Sequence, residues 1–300
     1  MASLSKSFEY DLDTVTNKFL DDFPIHCHYR TGAIGQSQMH SHRGYEFYLC
    51  MEGQGKLLVG DRIFALEPGA FTIMKPYVLH WPRVEGLRPL HRFVLSIDER
   101  YLFSWLEGLP AIADCVRCLL LDSDSSSLHW QLSGEKLPSV NTLLVQLTKE
   151  IAEKPIYYEA AMFQHLAGLF VSLAREQQMN IVKCETNTTP SQLAERILHY
   201  LAEHYAERIE VSRLHEQFNV SRSHMYDHFK QWTGHSLNRY LTLYRIDQAK
   251  RLLIDTQLSV TEIAAATGFN DLSHFFHTFK SELGLTPKMF RKQHIHLHPI

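Results

Sequence analysis

Three histidines and a glutamate stand where side chains can do chemistry together: His40, His42 and Glu46, followed at a distance by His80. The first three are separated by even numbers, so a regular strand would point them to one face, and a neighbouring strand can bring His80 beside them. Imidazole nitrogens with a carboxylate oxygen suit a divalent transition metal (Zn, Fe, Mn or Ni) with coordination positions left open. The same four side chains can equally hydrogen-bond a small organic effector. Residue types alone leave both readings open.

Other reactive residues carry less. Cys115 and Cys118 have zinc-like spacing but no second pair, and they sit in a helical pattern that suits structural thiols. His294, His296 and His298 alternate like a chelating strand at a chain end, where adventitious ion binding is the expectation. His26 and His28 precede the strand-rich region and can approach its mouth. There is no phosphate-cradling glycine loop and no nucleophile elbow, so no catalytic residue is assigned, no cofactor is required and the chain does not read as an enzyme.

The elements that must hold these residues follow from pattern. Among 300 residues, 45% are hydrophobic and 21% charged, which is the balance of a soluble chain of about two domains. No apolar run reaches the roughly 18 residues a membrane span needs. The first 30 residues carry acids where a signal peptide would be basic and apolar, and the five cysteines are an odd number, so a cytoplasmic protein with reduced thiols is expected. From Tyr29 to about Ile97 short strand-like runs (YEFYLCMEG, GKLLVGD, RIFALEPGA, FTIMKP, HRFVLSI) are broken by Gly, Pro and Asp, which predicts a small antiparallel barrel or sandwich. DSDSSS at 122–127 reads as a loop. Val140, Leu143, Leu144, Leu147 and Ile151, then Ala160, Phe163, Leu166, Phe170 and Leu173, recur at helical spacing around Pro155 and predict a helical hairpin that covers a barrel face or forms a dimer seam. The polar stretch KCETNTTPS reads as a linker.

Beyond it the text is helical and repeats itself after about 50 residues. Val211, Leu214, Phe229-Lys230, Gly234 and Ser236 recur as Val260, Ile263, Phe279-Lys280, Gly284 and Thr286. Each copy suits a helix-turn-helix: a short helix ends near Asn219 or Gly268, a second starts at Ser221 or Asn270 and stops at Gly234 or Gly284. Met225 and Phe229, like Phe275 and Phe279, lie four apart and face inward. Arg222, Ser223, His224, Tyr226, Asp227 and Lys230, with Leu272, Ser273, His274, Phe276, His277 and Lys280, are left on surfaces that fit a groove of DNA. Residues 189–300 hold 13 Lys and Arg against 11 Asp and Glu, a net of only +2 against −5 for the remainder, so motif geometry and not charge carries the DNA reading.

With LNRYLTLYRIDQAKRLL, IAAATGFNDLSHFFHTFKSELGLTPKMFR and the FK-to-Gly spacing of both copies in view, the C-terminal part resembles the AraC/XylS family of bacterial transcription regulators. That resemblance implies seven helices, two recognition helices in successive major-groove turns, and base reading by Ser223, Tyr226, Asp227, Leu272, Ser273, His274 and His277. Asp227 and His277 stand where members usually have Arg, and His215 where they have a small Ala. HSHRGYEFYLCMEGQG, LEPGAFTIMKPYVLH and HRFVLSIDERYL resemble the cupin-type sensory domain common in that family, with His40-x-His42-x3-Glu46-x6-Gly53 as the first motif, His80 in the place of the second, and Gly35 one residue off the glycine that usually precedes the histidines.

The expected architecture is α+β: a cupin-like antiparallel β-barrel at 1–120, a helical hairpin for dimerisation or coupling at 121–182, a linker at 183–190 and an all-α double helix-turn-helix domain at 191–300. The expected function is transcription regulation, often activation in such proteins, with double-stranded DNA, a small-molecule effector such as a carbohydrate, RNA polymerase and a second copy of the chain as partners. The alternatives are a metal-dependent cupin isomerase or oxygenase fused to a DNA-binding domain, and a metal-ion sensor.

Overall fold

The computed structural model describes residues 14–31, 39–85, 89–106, 109–121, 125–181 and 193–294. Gly35, Cys184, the 183–190 linker, the acidic half of DSDSSS at 122–124, His296 and His298 lie outside the described residues, as does the side chain of His294.

The chain opens with α1 (Thr14–Asp22) and β1 (Ile25–Arg30). β2 (Gly44–Glu52), β3 (Gly55–Val59), β4 (Arg62–Leu66), β5 (Ala70–Met74), β6 (His80–Val84) and β7 (His91–Asp98) follow. Then come α2 (Glu99–Leu106), α3 (Pro110–Leu120), β8 (Ser127–Gln131), α4 (Lys136–Glu153) and α5 (Tyr158–Ile181). Among the described residues the strands form two antiparallel sheets, β1-β7-β2-β5-β8 and β4-β3-β6. Tyr48, Cys50, Ala70 and Met74 of the larger sheet pack with Leu57, Val59 and Leu66 of the smaller, so the sheets face each other.

β2 is buried on both faces. Tyr45, Phe47 and Leu49 join Phe93, Leu95, Val140, Leu144, Leu147, Leu166 and Phe170 in one core, which places α4 and α5 against the outer face of the larger sheet. Alternation sends Glu46, Tyr48 and Cys50 the other way, and Arg92, Val94 and Ser96 stand opposite them in register. The helical hairpin expected from periodicity therefore covers a sheet face.

Three strands depart from expectation for physical reasons. β8 begins at Ser127, the last residue of the expected loop, and lies beyond the expected domain boundary at 120, yet it pairs with β5 and buries Trp130 against Phe71. β6 contains Pro82, which lacks an N–H and argues against a strand, but β6 is an edge of the smaller sheet in which only β3 pairs along its length. β1, holding His26 and His28, is an edge strand of the larger sheet paired with β7, and does not merely precede the strands.

The C-terminal part consists of α6 (Leu193–His204), α7 (Leu214–Gln217), α8 (Arg222–Thr233), α9 (Leu237–Asp255), α10 (Val260–Ala266), α11 (Leu272–Leu283) and α12 (Pro287–His294). Both turns follow the expected chemistry. Asn219 takes φ 54° in the first and Gly268 φ 79° in the second. At Gly268 a side chain is excluded twice over, because a Cβ would also stand 2.6 Å from the Tyr205 carbonyl oxygen. α8 is capped by Ser221, whose hydroxyl accepts from the His224 amide, and stops at Gly234 with φ 77°. α11 is capped by Asp271, one residue after the expected Asn270, and its carboxylate accepts from the His274 amide at 2.8 Å. The residue inserted in the second turn accounts for that shift.

Candidate functional site

His40, His42, Glu46 and His80 come together, by a route other than the expected one. His40 and His42 are not on β2, which begins only at Gly44. Instead His40 forms an isolated bridge with His80, each donating its amide to the other's carbonyl at 3.0 and 2.9 Å. The chain then bends at Arg43 and enters β2, which carries Glu46. His80 is also held from its other side, in register with Val59 of β3.

All four side chains are buried. His42 Nε2 stands 2.7 Å from one Glu46 carboxylate oxygen, and His80 Nε2 stands 3.8 Å from the other. The His40 and His80 ring centroids are 4.2 Å apart, those of His42 and His80 5.0 Å. Burial would raise the Glu46 carboxyl, but the surrounding imidazoles of His80, His42 and His40 override it and bring it down to about 2. Glu46 is thus an ionised carboxylate under a canopy of imidazoles. One potential metal-binding group of three or more His, Cys, Asp or Glu residues, His42, Glu46 and His80, occurs among the described residues. His26 is turned away, its Nε2 2.7 Å from the Phe19 carbonyl oxygen. Cys115 and Cys118 lie three apart on α3 as partly buried free thiols.

This cluster is tied to the helical domain through main chain. Tyr77 donates its amide to the His42 carbonyl at 2.7 Å, and its own carbonyl accepts from Lys250 Nζ of α9 at 2.5 Å. Lys250 is buried with Asp247, 3.0 Å away, and the Tyr77 ring packs on Phe290 of α12. Burial pushes the Lys250 ammonium down while Asp247 pushes it up, leaving it below the usual lysine range. A second tie runs from Tyr240 Oη of α9 to the Gly60 carbonyl at 2.6 Å, while Gly60 donates to Leu79, the neighbour of His80. Met39, Leu58 and Leu79 complete the contact by joining the core of Leu198, Leu214, Phe229 and Leu241. Sequence reasoning missed Tyr77, Gly60, Tyr240, Asp247 and Lys250. The i,i+3 spacing of Asp247 and Lys250 was the one visible signal.

On the helical domain, Met225, Phe229, Phe275 and Phe279 are fully buried, as their spacing requires. Arg222, Ser223, His224, Asp227 and Lys230 of α8 are exposed, as are Leu272, Ser273, His274, Phe276, His277 and Lys280 of α11. Tyr226 is half-buried and donates its hydroxyl to the Val211 carbonyl. Asp227 accepts from Ser223 at 3.0 Å, so its carboxylate is partly engaged on the helix itself. The two units are braced by a bidentate pair, Arg239 of α9 donating to both Glu282 oxygens of α11 at 2.7 and 2.8 Å.

A family profile described as an AraC-like ligand binding domain matches residues 23–147, and one described as a helix-turn-helix domain matches residues 214–293. The HTH-type transcriptional activator RhaS of Escherichia coli O139:H28 is 25% identical over 257 residues, which cover 84% of this chain and 87% of that protein. The chain belongs to the AraC/XylS family. This regulator is a DNA-binding transcription regulator with an N-terminal ligand-binding domain, and it responds to an effector. Among solved structures, ToxT of Vibrio cholerae O395 aligns at 12% identity over 90% of the regulator and 96% of that chain, with a TM-score of 0.36. The C-terminal domain of AraT, a response regulator from Geobacillus stearothermophilus, aligns at 28% identity over 35% of the regulator and 88% of that chain, with a TM-score of 0.34. The described residues contain no helix long and apolar enough to cross a membrane.

Proposed function

We propose that the regulator senses a polar small molecule, a carbohydrate being the leading class, at His40, His42, Glu46 and His80, and passes its presence to the DNA-binding domain within one chain. One observation carries this reading: Tyr77 bonds His42 through its amide and Lys250 of α9 through its carbonyl, so two main-chain groups of one residue join the histidine cluster to the helical domain. An effector that moves the 40–42 segment changes the seat of α9. In this reading the exposed faces of α8 and α11 lie in successive major-groove turns, with Ser223, Asp227, Leu272, Ser273, His274 and His277 reading bases and Arg222, Lys230 and Lys280 approaching phosphates. Tyr226 contributes through its ring edge, since its hydroxyl is held by Val211. The regulator acts in the cytoplasm as a homodimer, engages RNA polymerase at its promoters, and catalyses no reaction of its own.

The test is a thermal-shift screen of small polar molecules against the full chain, followed by titration of each stabilising compound into the complex with DNA from upstream of the regulator's own gene. The expected result is a compound that changes DNA affinity at least about tenfold, a coupling of about 1.4 kcal/mol. In the double variant Asp247→Leu, Lys250→Met, which removes the buried pair together and strands neither charge, that coupling is expected to collapse while the compound still binds. A double variant that responds like the wild type would overturn the route through Tyr77.

A further inference from the structure

We propose that the second recognition helix reads the C5 methyl groups of thymines through an apolar pair, Leu272 and Phe276, so that the two helix-turn-helix units recognise DNA by different chemistry. The inference deepens the base reading assigned to α11 and rests on it: it adds Phe276 to the reading surface and names the chemical group that is read.

The apolar side chains of α11 divide into two sets. Phe275 and Phe279 are fully buried, whereas Leu272 and Phe276 stay 39% and 38% exposed. These two stand four residues apart, so they are neighbours on one side of the helix. Among the described helices α11 alone exposes two large apolar side chains. Their positions are fixed locally. Leu272 is the first residue after the Asp271 cap, and the Phe276 ring meets that of the buried Phe275 edge-on, with centroids 5.9 Å apart. Ser273 and His277 form the next row on the exposed surface, and Lys280 continues the apolar row one turn further on. The pair therefore occupies the N-terminal half of a recognition helix, the part that meets base edges in a major groove, and Lys280 is left for phosphate.

The first unit shows that the fold does not dictate this chemistry. With Phe229 set against Phe279, Arg222 stands where Leu272 does and Tyr226 where Phe276 does. The Arg222 guanidinium lies 5.7 Å from the Tyr226 ring centroid, and the half-buried Tyr226 donates its hydroxyl to the Val211 carbonyl. Phe276 has no hydroxyl with which to make the corresponding bond to Val260. A polar pair engaged on its own unit in α8 is thus replaced by an exposed apolar pair in α11.

An apolar pair in a major groove has one matching group among the four bases, the methyl of thymine. Four residues of helix span about 6 Å, close to two base steps of about 3.4 Å. Leu272 and Phe276 therefore suit thymines that lie within two base pairs of each other. A protein partner fits less well, because a stable interface covers about 800 Å² on each side, and on α11 this pair is flanked by Ser273, His277 and Lys280. Methyl burial also suits a weakly charged domain, since it adds affinity without releasing counterions.

The experiment uses full-length, tag-free protein and randomised duplex DNA, from which bound sites are selected and sequenced. Each thymine of the selected site is then replaced in turn by deoxyuridine, which keeps the hydrogen-bonding groups and removes the methyl. The expected result is one or two thymines, within two base pairs of each other, at which wild type loses about fourfold in affinity for each methyl. That factor should be the same at low and high salt. Phe276→Ala and Leu272→Ala should each bind the thymine site more weakly and lose the response to uracil at one of these positions, with responses elsewhere in the site unchanged. Melting curves check that both variants stay folded, and two separate variants guard against one of them failing to do so. A defined site at which wild type responds to uracil nowhere would overturn methyl reading and leave base reading by Ser273, His274 and His277 standing. Selection that yields no defined site would overturn the base reading and this inference with it. Uracil responses that are equal in wild type and both variants would overturn the role of the pair. Variants with wild-type DNA affinity that fail to activate transcription would make the pair a docking face for RNA polymerase and overturn the reading of thymine.

Discussion

At the scale of single residues, burial decides which charges the sensory domain tolerates. His129 of β8 stacks on Phe64 with ring centroids 4.4 Å apart and shares a 2.8 Å hydrogen bond with Thr72. Desolvation lowers it to about 4. Between about pH 4 and the unfolded value near 6.5 the unfolded chain binds the extra proton, so stability present above 6.5 is lost as pH falls towards 4. The expected loss through this one group is about 2 kcal/mol between pH 7 and pH 5. His129→Gln keeps a partner for Thr72 and removes the titration, so its urea midpoint should fall less over that interval than the wild type's; parallel curves would show that His129 does not drive acid sensitivity. Glu46 shows the opposite balance. There the carboxylate stays ionised in spite of burial because three imidazoles surround it. The residue types of that cluster were legible in the sequence. Its assembly was not, because a bridge between His40 and His80 and a bend at Arg43 replace the regular strand that parity assumed.

At the scale of elements, legibility follows how local the determinants are. The recognition helices were readable to within a residue, since apolar spacing, side-chain caps and left-handed stops are all near-neighbour signals, and only the Asn270 cap moved to Asp271. β6 and β8 were not, because Pro82 argues against a strand and β8 is a five-residue segment directly after a serine run, and pairing with distant strands decides both. The bond from Lys250 to Tyr77 left no trace because its acceptor is a main-chain carbonyl, which every residue has. The exposed face of α11 yields a test at this scale. Ser273 and His277 are exposed, whereas the His274 ring lies 5.7 Å from that of Phe269. Ser273→Ala with His277→Ala is therefore the cleaner change, since it touches no core group. If both side chains read bases, specific binding should weaken by about 1 to 3 kcal/mol per contact while melting stays put. Equal affinity of variant and wild type for the upstream DNA would remove these two from the reading surface.

At the scale of the whole molecule, the weak charge of the helical domain bears on assembly. A net of +2 over residues 189–300 offers little non-specific attraction to DNA, so one copy must rely on shape and base contacts, and two copies joined on adjacent sites double them. The surface available for joining is not the one the helical period first suggests. Leu144 and Phe170, central to the apolar stripes of α4 and α5, are buried at 1% and 0% exposure against the larger sheet, so a charge placed there would unfold the sensory domain and would say nothing about dimers. Among the described residues of the hairpin, Val145 on α4 and Ile156 and Tyr157 at the turn are the large apolar groups left outside, at 50%, 83% and 79% exposure. If the hairpin is the dimer seam, wild-type protein should sediment as a dimer at micromolar concentration. Val145→Glu with Ile156→Glu should then shift it to the monomer without lowering its melting temperature, because neither side chain holds a core contact. The same variant should bind a full upstream site more weakly and a half-site unchanged, which separates lost assembly from damaged recognition. A wild type that stays monomeric at those concentrations, with and without DNA, would leave the regulator to act as single copies, with α4 and α5 serving only to cover the sheet.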